Sequence, residues 1–389
     1  MTAWLEIVGA SEGELPALPE GAPVIGPARF KPQLPQLTAW RSLRLDDMIG
    51  QVLERRGTPT TLLVSGDPLW FGFGATLSRH LDASEYRVRP AASSFQLAAA
   101  EMRWPMQHLT TLSLHARPVE LLHPHLAPGV RTLALTTDET TAPAVAALLV
   151  ERGYGGTMLT VLENLGGPQQ RVQSATANGF KLGIGSFYVL AIDCVADIDA
   201  PLRPPVPGLP DDAYESDGQL TKREVRAATL ARLAPYPGAL LWDVGAGCGS
   251  VAIEWMRSAR DAAAIAIERD SSRGALIARN ARRLGVPTLR VVEGEASASV
   301  ADLPTPDAIF LGGDVANDAL FDQCWQRLRP GGMLVANAVT MDGEQALFAR
   351  QQRLSGDLVR IDVASLDAVG GHRVLRPRLP VTQWAVRKP

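Results

Sequence analysis

The sequence predicts two α/β domains in tandem, the second built on a mostly parallel sheet covered by helices on both faces. Three observations carry that expectation. The chain has 389 residues, about twice the usual domain size. A proline-rich and then acidic segment, 201–218, divides it. Beyond that segment, short apolar runs alternate with amphipathic helical patterns, as buried parallel strands and their crossover helices do.

Composition narrows the function classes. Apolar residues make up 46% and charged residues 20% of the chain, ordinary values for a soluble globular protein. A formal net charge of −3 argues against a general nucleic-acid binder, and no basic stripe favours an RNA substrate. Cys194, Cys248 and Cys324 form neither a CxxC pair nor a disulfide ladder, which suits a reducing compartment. The opening MTAWLEIVGA has Glu6 inside its apolar run and no basic leader, so a strand is expected there and not a signal peptide. No apolar run approaches the ~20 residues of a membrane span. A cytoplasmic homo-oligomer is expected.

In the first half, EIVGASEGE follows a strand, and Gly9 and Gly13 form a loop of low specificity. TLLVSGDPLWFGFG is more informative, because a buried strand runs into Gly66-Asp67-Pro68 and then a glycine-rich helix start. Asp67 reads first as a turn residue before Pro68. RPAASSFQLAAAEMRWP, with Ser93-Ser94, follows, then LSLHARP and LTVLENLGGPQQRV. His115 suits proton handling or carboxylate binding, or a purely structural place. His123-Pro124-His125 has no third ligand nearby and reads as a surface turn, so no metal is expected.

Between the halves, Pro201, Pro204, Pro205, Pro207 and Pro210 precede Asp211, Asp212, Glu215 and Asp217. Missing amide donors and clustered acids predict a semi-rigid, solvated linker over 201–218.

In the second half, Thr221-Lys222-Arg223-Glu224 opens a helix and reads as a capping box from Thr221 to Glu224. It also offers a hydroxyl to a cofactor and a basic cluster, Lys222, Arg223 and Arg226, to an anionic substrate. Strands are predicted at 240–244, 265–268, 289–292, 308–311 and 333–336, with helices from about 251, to about 284 and over 320–328. The end of the chain, 358–363 and 381–386, reads as an antiparallel pair at the sheet edge. Trp255 and Trp325 sit on helix faces and read as core.

The segment LLWDVGAGCGSVAIEW carries the chemistry. Small residues at 245–249 (Gly245, Ala246, Gly247, Cys248, Gly249) let the backbone turn sharply beside a ligand, and the following helix offers free N–H groups. The spacing is GxGxG, with Ser250 where a dinucleotide fingerprint has its last glycine, and Asp243 precedes it. That pattern is usual in S-adenosylmethionine enzymes. Cys248 reads as a small loop side chain, at a position that can depress a thiol pKa. Glu268 ends the second strand, where its carboxylate can accept both ribose hydroxyls; the alternative is an exposed acid at a strand end. Gly294, Glu295 and Ala296 follow the third strand and could frame an adenine. FLGGD, with Gly312 and ending at Asp314, opens the substrate side.

TKREVR, LLWDVGAGCGSVAIE, Glu268, DAIFLGGD, RPGGMLVANAVT and RLPVTQW, taken in order, resemble the decarboxylating precorrin methyltransferases of cobalamin synthesis over essentially all of 219–389. The resemblance implies a class I (Rossmann-like) methyltransferase domain in which Thr221, Gly245–Gly249, Glu268 and Ala296 contact S-adenosylmethionine. It also implies methylation of a macrocycle at carbon 15 with loss of the ring C acetate carboxylate. SGDP, Ser93-Ser94 and His115-Ala116-Arg117 resemble the tetrapyrrole methylase domain that methylates carbon 5. Together the halves resemble the bifunctional C5,15 branch of the precorrin methyltransferases. That implies one S-adenosylmethionine per domain, with Gly9, Gly66, Asp67, Ser93 and Ser94 near the first, and a small-molecule tetrapyrrole substrate (precorrin-6B or 6Y). Arg117 and His115 join Lys222, Arg223 and Arg226 as candidates for its carboxylates. One departure stands out. The family pattern has a helix after the first loop, but GASEGELPALPEGAPVIG has three prolines and too little chain for it. No role is expected of Glu12 or Glu14.

Two other classes stay open on sequence grounds. A nicotinamide oxidoreductase would also use Glu268 and a glycine loop, although the missing last glycine and the antiparallel terminal pair weigh against it. Alternatively, only the C-terminal half is catalytic and the first half is a docking module.

Overall fold

The computed structural model describes every residue except 1, 2, 12, 14 and 20. Glu12 and Glu14 therefore lie outside the described residues. The chain divides into two compact units, Met1–Val119 with Ala127–Pro201, and Glu120–Leu126 with Leu202–Pro389.

The first unit contains two sheets. Its opening strands and helices are β1 (Leu5–Ala10), β2 (Val24–Gly26), β3 (Thr38–Ala39), α1 (Leu45–Leu53), β4 (Thr60–Ser65), α2 (Phe73–Leu77), β5 (Tyr86–Arg89) and α3 (Ser94–Met102). The strands form a fully parallel sheet in the order β3-β2-β4-β1-β5. Between β1 and β2 the described residues carry no helix, as the prolines of that stretch predict. β6 (Leu109–Ser113), β7 (Arg131–Leu135), α4 (Thr141–Glu151), β8 (Met158–Glu163), β9 (Arg171–Thr176) and β10 (Tyr188–Asp193) follow. They build a mixed sheet, β6-β7-β10-β8-β9.

The second unit runs α5 (Arg223–Leu233), β11 (Leu240–Val244), α6 (Ser250–Ser258), β12 (Ala263–Glu268), α7 (Ser271–Arg283), β13 (Arg290–Glu293), α8 (Ala296–Ser299), β14 (Ala308–Leu311), α9 (Asp318–Arg327), β15 (Met333–Ala338) and α10 (Met341–Leu354). It ends with β16 (Asp357–Ile361), β17 (Ala364–Val369), β18 (His372–Pro377) and β19 (Val381–Arg387). The sheet order is β13-β12-β11-β14-β15-β19-β16, with β19 antiparallel to both its neighbours. Alternation along β11 shows why both faces need cover. Leu241 packs with Trp255 and Ile277 on one face, and Trp242 packs with Phe321 and Trp384 on the other. Trp255 is fully buried, and Trp325 is half-buried against Phe321. The 364–380 stretch, which shows no helical pattern, holds the exposed hairpin β17–β18 turned at Gly370-Gly371.

The proline-rich, acidic stretch is not a free spacer. Leu209, Ala213 and Tyr214 are buried in the core of the second unit. Glu254 on α6 accepts from the Gly208 N–H at 2.6 Å, the Leu209 N–H at 3.0 Å and the Tyr214 hydroxyl at 2.8 Å. Arg226 on α5 donates to Glu254 at 2.6 Å, to Asp211 at 3.2 Å and to the Leu209 carbonyl. Asn280 on α7 holds both backbone groups of Glu215 and also donates to the Cys248 carbonyl. The segment is thus a strap anchored on buried charges and an amide, directly under the glycine loop.

Candidate active site

In a parallel sheet the strand C-termini open at one edge, and ligands sit where the order reverses. β11 is flanked by β12 and β14, so that reversal falls at Gly245. A cavity of about 610 Å³ lies there. Its lining follows the sheet order: Gly294–Ala296 after β13, Glu268 and Arg269 after β12, Gly245–Gly247 after β11, Gly312–Asp314 after β14, and Asn337 and Val339 at the end of β15. Thr221 and Lys222 close it from the start of α5, and Arg378, Leu379 and Val381 from the chain end.

The glycines are required by geometry. Gly245, Gly247 and Gly249 have φ of +73°, +60° and +82°, a region that L side chains rarely enter. A Cβ at Gly245 would lie 2.8 Å from the Gly313 amide nitrogen. Glu268 is only 5% exposed. One carboxylate oxygen accepts from the Gly247 N–H at 2.8 Å and the other from Asp270 N–H at 3.2 Å. Each oxygen keeps lone-pair capacity facing the cavity, as two vicinal hydroxyls require.

Other sequence candidates fall differently. Asp243 does not line the cavity; it is buried beneath it and accepts from the Ala252 N–H at 2.9 Å, capping α6 from below. Burial, opposed by that N–H and reinforced by nearby Glu268, pushes its carboxyl up to about 7. Cys248 and Gly249 also sit behind the cavity wall. Burial raises the Cys248 thiol to about 11, so the helix start does not activate it. The capping box is absent, since Lys222 is the N-cap of α5 without a side-chain bond. Thr221 presents its backbone carbonyl to Arg226 instead. Arg226 is wholly buried and committed to the strap, so it is withdrawn as a substrate ligand. Arg223 is exposed and outside the cavity lining. Lys222 does line it, half-exposed and 3.9 Å from Asp211.

Sequence reasoning missed several cavity groups. Arg269 adjoins Glu268 and was legible from that position. Arg273, held by Asp217 at 2.8 Å, and Arg378, donating to the Ser365 hydroxyl at 3.0 Å, had no local signal. Asn337 donates to Thr229, which Gln383 also binds.

In the first unit, Gly9, Gly66 and Ser93 converge at the C-terminal edge of the parallel sheet. The Gly66 N–H donates to the Ala10 carbonyl at 2.8 Å. A Cβ on Gly9 would lie 2.5 Å from the Gly66 carbonyl oxygen, and one on Gly66 3.4 Å from the Ser93 Cα. Asp67 turns the chain by accepting from the Leu69 and Trp70 N–H groups at 2.8 and 3.0 Å. Ser93 forms a reciprocal capping box with Gln96, and Ser94 begins α3. The Asp67 and Ser93 side chains thus have structural work at this edge. His115 is exposed, with Nδ1 3.0 Å from the Thr136 carbonyl. Arg117 is exposed beside it. No described His, Cys, Asp or Glu residues cluster as metal ligands. Among the described residues, no helix is long and apolar enough to cross a membrane.

Residues 212–388 match the family described as "Precorrin methyltransferase domain", and residues 41–180 match "Tetrapyrrole (Corrin/Porphyrin) Methylases". The chain is 47% identical over 345 residues to a precorrin-6Y C(5,15)-methyltransferase [decarboxylating] of Sinorhizobium sp, covering 88% of this chain and 84% of the relative. The cobalt-precorrin-6B C(15)-methyltransferase (decarboxylating) of Salmonella typhimurium is 31% identical over 173 residues, 43% of this chain and 89% of that protein. A crystal structure of the C-terminal domain of precorrin-6Y C5,15-methyltransferase from Rhodobacter capsulatus is 43% identical, with a TM-score of 0.46, covering 48% of this chain and all of that one.

Proposed function

This chain belongs to the family of precorrin-6Y C(5,15)-methyltransferases (decarboxylating), and we propose that it performs the two methylations on two separate cofactor sites, one in each unit. The chain is an S-adenosylmethionine-dependent methyltransferase of cobalamin biosynthesis, acting on a precorrin macrocycle with decarboxylation. We assign carbon 15 methylation and loss of the ring C acetate carboxylate to the second unit, and carbon 5 methylation to the first. The observation that carries the second-unit assignment is Glu268, buried at a strand end with its carboxylate shared between the Gly247 N–H and the cavity. The relatives support this reading and not the nicotinamide alternative. A cytoplasmic location belongs to the same proposal.

The residues present fit the cofactor. Gly245 and Gly247 line the cavity with backbone alone, Glu268 would meet the ribose, and Gly294, Glu295 and Ala296 would flank the adenine. Bound there, S-adenosylmethionine supplies an electrophilic methyl group whose sulfur leaves as a neutral thioether. The protein's task is then alignment in a water-poor cleft. Lys222, Arg269 and Arg378 hold substrate carboxylates at the rim, while Val339, Leu379 and Val381 give the macrocycle an apolar wall. Electrons released with carbon dioxide enter the conjugated ring, so the chain need only place the acetate.

The test is incubation of the full chain with a hydrogenated precorrin-6 substrate and S-adenosylmethionine, read by mass. Two methyl additions and one carbon dioxide loss are expected. One methyl addition would reduce the first unit to the docking role.

A further inference from the structure

An aromatic tip stands beside the glycine edge of the first unit. Leu69, Trp70 and Phe71 follow the Asp67 turn and are 50%, 50% and 48% exposed. Large apolar side chains, contiguous and half in solvent, are what a ligand-binding surface presents. Two further observations make this tip a constructed one. Phe71 has a φ of +56°, a true outlier for a bulky residue, and such strain collects at functional sites. The loop is also fixed. Asp67 takes the Leu69 and Trp70 amides, and Gly72 and Gly74 pack so closely on Pro68 that a Cβ at either would fall within 2.7 Å of its carbonyl oxygen.

The rings form a graded series from core to solvent. Phe95, buried on α3, meets Phe71 edge-on at 5.6 Å, and Phe71 meets Trp70 at 5.8 Å and 90°. α3 is the helix whose Ser93 cap adjoins Gly66. The strained turn therefore lifts two rings beside the backbone cradle of Gly9 and Gly66 while keeping them anchored to the core.

We infer that Trp70 and Phe71 form the platform on which the flat, conjugated face of the tetrapyrrole rests during carbon 5 methylation, making them positioning residues for that step alone. This rests on the proposed assignment of carbon 5 methylation to the first unit. A large π-face suits offset or edge-on aromatic contact, and a platform fixed before binding lowers the ordering cost of placing one carbon against the methyl donor.

The full chain offers its own control, because carbon 15 methylation occurs in the other unit. Trp70→Ala, Phe71→Gly and the conservative Trp70→Phe are compared with the unaltered chain. Methyl position is read by mass and NMR, and S-adenosylmethionine affinity by calorimetry. Trp70→Ala should raise the tetrapyrrole KM for carbon 5 methylation by about tenfold, the scale of one lost stacking contact, with cofactor affinity and carbon 15 methylation unchanged. Trp70→Phe should recover most of the loss. Phe71→Gly, which relieves the positive φ, should raise or hold the melting temperature while raising the same KM. If the unaltered chain methylates both carbons and Trp70→Ala keeps its carbon 5 KM, the platform is overturned while the functional assignment survives. An equal KM rise at carbon 15 overturns it too. An unaltered chain that methylates carbon 15 alone overturns the underlying assignment, and the platform with it.

Discussion

The two units place glycines at the ends of parallel strands for different reasons. In the second, Gly245, Gly247 and Gly249 all take positive φ within one loop, and a carboxylate, Glu268, completes the cradle. In the first, Gly9 lies inside β1 and Gly66 takes a φ of +64°; the requirement at Gly9 is room for the Gly66 carbonyl. A run of conformational glycines is a local pattern that sequence displays. A glycine needed for clearance is defined by a residue far along the chain, so GASEGE alone looks weak. The two sites would also hold a ligand differently, the second through a charged acceptor and the first through backbone approach beside an aromatic tip.

The largest effect that would sharpen the contrast is expected at Arg226. Arg226→Met leaves Glu254 buried without its cation, and breaking a buried pair costs about 3–5 kcal/mol. The strap should be released, so limited proteolysis should cut within 202–218 while the first unit stays resistant. Resistance equal to the unaltered chain's would contradict the anchoring role.

A smaller effect is expected at Gly9→Val. Its Cβ would meet the Gly66 carbonyl oxygen at 2.5 Å and the Ala91 Cβ at 2.9 Å, an overpacking of about 1–3 kcal/mol. Carbon 5 methylation should fall and carbon 15 methylation persist. Loss of both would break the separation of the sites.

A third effect concerns pH. The Asp243 carboxyl, raised to about 7 by burial, binds a proton more tightly in the folded chain than in the unfolded one. Its contribution therefore makes stability fall as pH climbs from about 4 to about 7, then levels off. Asp243→Asn keeps an acceptor for the Ala252 N–H and should flatten that fall, measured as denaturant midpoints at pH 5 and pH 8. An unchanged slope would show that Asp243 does not titrate there.

The same local-versus-distant distinction explains what sequence made legible. The strands of the second unit's sheet, the loop at 245–249 and Glu268 follow from apolar periodicity and strand-end position, both short-range. Arg226 looks like its neighbours Lys222 and Arg223, and only its partner Glu254, 28 residues on, turns it from a surface cation into a core one. The prolines and acids of 201–218 suggest solvent for the same reason, because the groups that bury them lie on α5, α6 and α7. Asp243 reads as part of the ligand loop by adjacency, yet its strand position points it under the loop. The β17–β18 hairpin is exposed and so carries no one-sided apolar pattern. Trp70 and Phe71 carry no sequence signal, because what sets them apart is exposure and backbone angle.

Calorimetric titration with S-adenosylmethionine counts the cofactor sites of the chain directly. The full chain should bind two equivalents, and Glu268→Ala should bind one at normal strength while carbon 15 methylation collapses. A single equivalent for the unaltered chain, or unchanged binding in Glu268→Ala, would contradict it.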